Sequence, residues 1–193
     1  HTVSGGLNYS ANYIRESLAG SLKRLNMDYV DSLIIHTPPF EILNGHKSDH
    51  FAELERLKEE GQIRGYGASV DTYDEMKVLM ETTESRVIET FFNILHQDTA
   101  RAFDLAQQKN VMLIGKIPLD SGWLSGKYTA ETTFSDIRER WSREDIKTRA
   151  TLVHRIKEIL NQEHELGQMA LAFCLSYDAI TTVIPGNSSL TQL

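Results

Sequence analysis

Little in this sequence points to a covalent framework, a membrane or a polyanionic partner. Its 193 residues include a single cysteine, Cys174, so no disulfide can form within the chain. That cysteine lies in the apolar run Met169-Ala-Leu-Ala-Phe-Cys-Leu, which predicts an inert buried thiol rather than a nucleophile or ligand. No stretch approaches the roughly 20 apolar residues of a membrane span. The first residues show no charged-then-apolar leader pattern, so a cytoplasmic protein without a membrane partner is expected. Basic residues are in the minority, 20 Lys and Arg against 27 Asp and Glu, and the net charge of −7 argues against a nucleic-acid partner. Prolines number only four, while hydrophobic residues make up 40% and charged residues 24%, the balance of a chain that can bury a substantial core. His1, His46, His50, His154 and His164 have no ligand spacing, and Glu163-His164-Glu165 lacks the second histidine of a zinc motif. No metal site is expected.

What is present is a repeating alternation. Ser10 is placed to cap a helix running to about Asn26, with Ile14, Leu18, Leu22 and Leu25 at helical spacing. Tyr29-Val-Asp-Ser-Leu-Ile-Ile then reads as a buried strand, stopped at His36-Thr-Pro-Pro. A helix from about Asp49 to Glu60 ends at Gly61, and a strand from Ile63 to Ala68 follows. The cycle continues with a helix capped by Asp71, a strand from Val87 to Phe92, a helix from Thr99 to Lys109 and a strand from Val111 to Ile117. A polar loop, Thr129 to Thr133, precedes a short helix around Phe134 to Trp141 and a long one from Arg143 to Asn161. The last pair is a helix from Gly167 to Tyr177 and the strand Ile180-Thr-Thr-Val-Ile. Apolar strands separated by helices predict an α/β protein with a parallel sheet. No linker interrupts them, so residues 1–193 read as one domain. Five strands suit either a doubly wound sheet or part of a (β/α)8 barrel.

Chemistry-bearing residues collect where these strands end, the face on which parallel α/β proteins bind ligands. His36 directly follows the apolar strand residues Leu33-Ile-Ile; it suits hydrogen bonding to a substrate carbonyl, and equally a satisfied core histidine. Ser69 follows the second strand, and Asn93 and His96 the third. Lys116 ends an apolar strand, where burial suits a Schiff-base lysine. The alternative is a lysine that snorkels to solvent or pairs with Asp120 or Glu89. Two glycine-bearing segments, Asp120-Ser-Gly-Trp-Leu-Ser-Gly-Lys-Tyr and Pro185-Gly-Asn-Ser-Ser, offer backbone N–H groups and hydroxyls to an anion. Neither matches a dinucleotide or Walker glycine pattern.

Several stretches, in order, resemble the aldo/keto reductases. They are Leu22-Lys-Arg-Leu-Asn-Met-Asp-Tyr-Val-Asp with Ile34-Ile-His, Leu57-Lys-Glu-Glu-Gly-Gln-Ile-Arg-Gly-Tyr-Gly-Ala-Ser, Phe92-Asn-Ile-Leu, Pro118-Leu-Asp-Ser-Gly-Trp-Leu-Ser-Gly-Lys-Tyr, and Ala170-Leu-Ala-Phe-Cys-Leu with Thr182-Val-Ile-Pro-Gly. The resemblance implies a (β/α)8 barrel, of which this chain would be about five βα units. It also implies NADP(H), with NAD as an alternative, and hydride transfer to or from an aldehyde, ketone or sugar carbonyl. His36 would be the histidine that orients the carbonyl. Ser69 would bond the nicotinamide carboxamide, with Glu89 and Lys116 flanking that ring; Pro118, Leu119, Ser121 and Lys127 would line the pyrophosphate. Gly186, Ser188 and Gln192 would lie toward the adenosine phosphate. The family's catalytic tyrosine, lysine and aspartate match no residue here, which implies that the chain is a piece of a longer protein. Three positions depart from the family pattern: Val70 for asparagine, Glu89 for glutamine and Lys116 for an aromatic residue. Two further readings stay open, a Schiff-base aldolase or lyase using Lys116, and a non-catalytic regulatory subunit.

Overall fold

Helix α1, Ala11–Leu25, begins where Ser10 leaves the helical conformation and its side chain accepts a bond from the Tyr13 N–H, at 3.4 Å. Ile14 and Leu18 form its buried stripe; each side chain withdrawn from water contributes about 2 kcal/mol. The helix stops at Asn26, whose left-handed backbone returns N–H bonds to the last turn. The computed structural model describes residues 7–160, 166–187 and 190. The remaining elements are β1 (Val30–Ile35), α2 (Asp49–Glu59), β2 (Ile63–Val70), α3 (Tyr73–Thr82), β3 (Val87–Phe91), α4 (Phe103–Gln108), β4 (Met112–Lys116), α5 (Arg143–Leu160), α6 (Leu166–Leu175) and β5 (Ile180–Ile184). None of the described helices is long and apolar enough to cross a membrane.

Strand neighbours follow chain order, β1-β2-β3-β4-β5. A doubly wound sheet reverses direction at a switch point, whereas a (β/α)8 barrel adds strands in sequence, so the observed order selects the barrel topology. β1 pairs with β2 in parallel, Ile35 opposite Ala68, and β2 pairs with β3 in parallel, Ser69 opposite Glu89. Gly67 is required by this pairing, because a Cβ there would fall 1.6 Å from the Val87 carbonyl oxygen.

The chain divides into two compact units, residues 1–90 with 98–114, and residues 91–97 with 115–193. β4 begins in the first and ends in the second. In the first, Leu54, Leu57, Ile63, Tyr66, Met76, Leu79 and Ile88 are almost wholly buried. There Arg15 of α1 reaches α2, its Nε 2.5 Å from Glu53 and its two terminal nitrogens bonded to Glu60. In the second, the core is Trp123, Leu124, Ile146, Val153, Leu166 and Ala170. An aromatic chain borders it, with ring centres 5.4 Å apart for Trp123 and Tyr128, 4.9 Å for Tyr128 and Phe134, and 5.4 Å for Phe134 and Trp141.

Four details depart from expectation. Thr72, not Asp71, caps α3, because Thr72 and Glu75 complete a reciprocal capping box. The expected helix from Thr99 to Lys109 is a 3-10 turn, Asp98–Ala102, followed by the short α4. Asp98 there turns one carboxylate oxygen to the Tyr73 N–H, 2.8 Å away, and the other to Arg101 of its own turn, 3.0 Å away. β2 continues two residues past Ala68, and a further 3-10 segment spans Asp120–Ser125.

Candidate active site

In the first unit, β1 delivers His36 into a turn that two interactions define. Thr37 has a positive φ of 41°, uncommon for a β-branched residue. The Tyr9 hydroxyl donates to the carbonyl oxygens of His36, at 3.0 Å, and Thr37, at 3.1 Å. Burial pushes the Tyr9 phenol above its ordinary pKa, so it stays protonated and able to donate. His36 itself is exposed in this chain. It borders a hollow lined also by Tyr9, Tyr13, Ile14, Leu33 and Ile35. Ser69 is 1% exposed at the end of β2, directly opposite the half-buried Glu89. Strand register thus brings Ser69 and Glu89 together, and Ile35, the residue before His36, opposite Ala68, the residue before Ser69.

In the second unit, Lys116 is 8% exposed at the end of β4. The next residues form an unusual loop. Ile117, Asp120 and Ser121 all have positive φ, 54°, 45° and 55°, followed by Gly122 at 98°. Three non-glycine residues in that region cost free energy that neighbouring bonds must offset. Within the loop, the Asp120 N–H bonds the Ile117 oxygen at 3.0 Å, and the Gly122 and Leu124 N–H groups both bond the Leu119 oxygen, at 2.9 and 3.1 Å. Pro118 is buried, Leu119 and Ser121 are half-buried, and Lys127 is exposed with its ammonium 4.9 Å from the Tyr128 ring centre. Gly186, after β5, is exposed; Ser188 and Gln192 lie outside the described residues.

The loop is held from several sides. The wholly buried Asn93 donates its side-chain N–H to the Ile117 oxygen at 2.9 Å and accepts from the Leu95 and His96 N–H groups. Arg138 donates to the Ser121 oxygen and Lys157 to the Gly126 oxygen, at 3.3 and 3.2 Å. Asp120, 2% exposed, meets the Arg149 Nε at 3.1 Å and lies 3.7 Å from His96 Nε2. Sequence reasoning did not find Arg138, Arg149 or Lys157. They are ordinary cations on helical segments, and their partners lie 17 to 31 residues away along the chain. His96 exchanges two backbone bonds with Asn93, and its ring lies 4.3 Å from that of Phe91.

The histidines read as non-ligands include His50, which is buried with Nε2 2.7 Å from the Ile42 oxygen. Among the described residues, no three His, Cys, Asp or Glu side chains gather as metal ligands. Cys174 is buried, donates to the Phe92 oxygen at 3.5 Å, and has its thiol pKa pushed up to about 11 by burial.

Comparison with solved structures finds the same fold in the aldo-keto reductase AKR11C1 from Bacillus halodurans in its holo form, at TM-score 0.74 and 26% identity. That match covers 96% of this chain and 60% of the other. The glycerol dehydrogenase AKR11B4 from Gluconobacter oxydans also matches at TM-score 0.74, with 19% identity over 92% of this chain and 56% of its own. By sequence, L-galactose dehydrogenase of Arabidopsis thaliana is 24% identical over 97% of this chain and 58% of its own length. The NADH-specific methylglyoxal reductase of Escherichia coli (strain K12) is 30% identical over 64% of this chain and 38% of its own. The chain therefore spans less than two thirds of the length of these relatives. The model of the aldo/keto reductase family matches residues 4–193, and with five strands in barrel order, the chain belongs to that family.

Proposed function

We propose that the full-length protein is an NADP(H)-dependent oxidoreductase acting on an aldehyde, ketone or sugar carbonyl, with His36 orienting the carbonyl oxygen. The observation that carries this reading is family membership over residues 4–193, with His36 exposed in a fixed turn at the end of β1. A sugar dehydrogenase and a methylglyoxal reductase among the relatives support the substrate class.

The residues present fit a nicotinamide dinucleotide. In the second unit, the loop from Ile117 to Lys127 combines a serine, a lysine and backbone held in left-handed conformations. That donor set suits a pyrophosphate. Pro118, Leu119, Ser121 and Lys127 would hold it, with Gly186, Ser188 and Gln192 toward the adenosine end. In the first unit, Ser69 would bond the carboxamide, and Glu89 would stand beside it. Lys116, in the second unit, stands in the position where an aromatic side chain is usual in the family. The cofactor, when bound, supplies or accepts the hydride. His36 aligns the carbonyl by donating a hydrogen bond to its oxygen, and the Tyr9 hydroxyl keeps the backbone beneath that imidazole in place.

The test is titration of NADPH and of NADH into the full-length protein, followed by carbonyl-dependent oxidation in wild type and His36→Ala. Turnover should fall about a hundredfold or more in the variant, with nucleotide affinity nearly unchanged. Full turnover in His36→Ala would overturn the assigned role. Tighter binding of NADH than of NADPH would overturn the cofactor preference.

A further inference from the structure

Asp120 is nearly inaccessible and carries a charge, so it needs a reason to be where it is. A lone buried carboxylate is costly, and a buried ion pair seldom adds stability over apolar residues of the same size. Its place in the loop supplies a reason. Asp120 lies within a five-residue stretch, Ile117 to Ser121, in which three non-glycine residues, itself among them, hold positive φ. Such conformations persist only where surrounding contacts over-determine them. Around Asp120, the contacts come from two directions. Arg149 of α5 donates from Nε at 3.1 Å, and its guanidinium lies 4.8 Å from the Trp141 ring centre, which fixes the arginine as well. His96 approaches the other carboxylate oxygen at 3.7 Å from the turn that also supplies Asn93 to the Ile117 carbonyl.

We propose that Asp120 and Arg149 are a positioning pair that holds residues 117–126 in their strained, anion-accepting shape. In its cofactor role, this inference rests on the proposed function. Neither side chain need touch the cofactor. Their contribution is to keep the loop in one conformation before binding, so that the cofactor does not have to order it. Loss of the pair should weaken nucleotide binding while leaving the carbonyl-side chemistry at His36 unaltered. A pair that merely fastened α5 to the core would lower thermal stability and leave both nucleotide affinity and loop mobility unchanged.

The experiment measures amide hydrogen exchange at Asp120, Gly122 and Leu124, whose N–H groups close the loop, in nucleotide-free full-length protein. The proteins compared are wild type, Arg149→Gln, Arg149→Lys and the double variant Asp120→Asn/Arg149→Gln. The double variant leaves no unpaired buried charge, so it remains folded if Arg149→Gln alone does not. Expected is exchange about tenfold or more faster at these amides in Arg149→Gln and in the double variant, with partial rescue by lysine, which keeps the charge without the planar fork. NADPH affinity should drop about tenfold, while kcat at saturating nucleotide stays within about twofold. Wild-type exchange at the three amides in the double variant overturns the inference. So does faster exchange accompanied by unchanged NADPH affinity. Failure of wild type to bind any nicotinamide nucleotide overturns the proposed function and the cofactor role of the pair, while amide exchange still decides whether the pair holds the loop.

Discussion

The turn after β1 and the loop after β4 both carry candidate site residues at strand ends, yet they are held by different means. Tyr9 supports the His36 turn through one neutral hydroxyl donor shared between two backbone oxygens, and the imidazole stays exposed. The loop from Ile117 to Gly126 is anchored by a buried carboxylate, by cations donating to its carbonyls and by the aromatic cluster beneath it. A residue that must meet a transient substrate can sit on a light support. A segment that must present several backbone donors in unfavourable dihedrals needs a heavier one. If this contrast is right, damage beneath the loop should act on the whole second unit, and damage at the turn should act on turnover alone.

The largest effect is expected from Leu124→Ala, which empties a wholly buried position in the core under the loop. It should cost about 3 kcal/mol, read as a lower denaturation midpoint, and should weaken nucleotide binding as well. A loss of stability with nucleotide affinity intact would separate loop shape from that core and break the comparison. Tyr9→Phe is a milder change. Removing the hydroxyl should cost about 1 kcal/mol of support for the turn, and kcat/KM should fall about fivefold with nucleotide affinity unchanged. Unaltered kinetics would show that the turn holds without Tyr9.

Acid should produce the smallest effect, and in both units. The Tyr73 N–H and Arg101 hold the Asp98 carboxyl below its ordinary range, and the Ser142 hydroxyl and N–H do the same for Asp145. Because both folded values are depressed, their stabilisation is fully present above the unfolded value of about 4 and is lost as pH falls through the folded values. Melting temperature should therefore decline below about pH 4, and less steeply in Asp98→Asn. Parallel pH profiles for wild type and this variant would remove Asp98 from the account.

How far the sequence could be read follows from how local each signal is. The strands were legible because apolar runs such as Val111 to Ile114 are bounded by polar or turn residues, here Asn110 and Gly115. The last two residues of β2 were not, since burial of Ser69 depends on pairing with Glu89 some twenty residues on. Placing the α3 cap required choosing between the adjacent candidates Asp71 and Thr72; the Glu three residues after Thr72 was the deciding signal. His36 could be placed because it follows its strand directly. The Asp120–Arg149 pair could not, with its members 29 residues apart and no periodicity linking them. Nor does isoleucine at 117 warn of a left-handed backbone, a conformation its branched side chain disfavours.

Cys174 offers a different kind of consequence. It is the sequence's only cysteine, sealed in the second unit and with its thiol pKa near 11, so it is scarcely ionised at neutral pH and shielded from reagents. Labelling by a thiol reagent must wait until the surrounding structure opens. The native chain thus carries its own stopwatch for local breathing, one that needs no engineered probe and ticks faster whenever a substitution or a missing ligand loosens the unit around it.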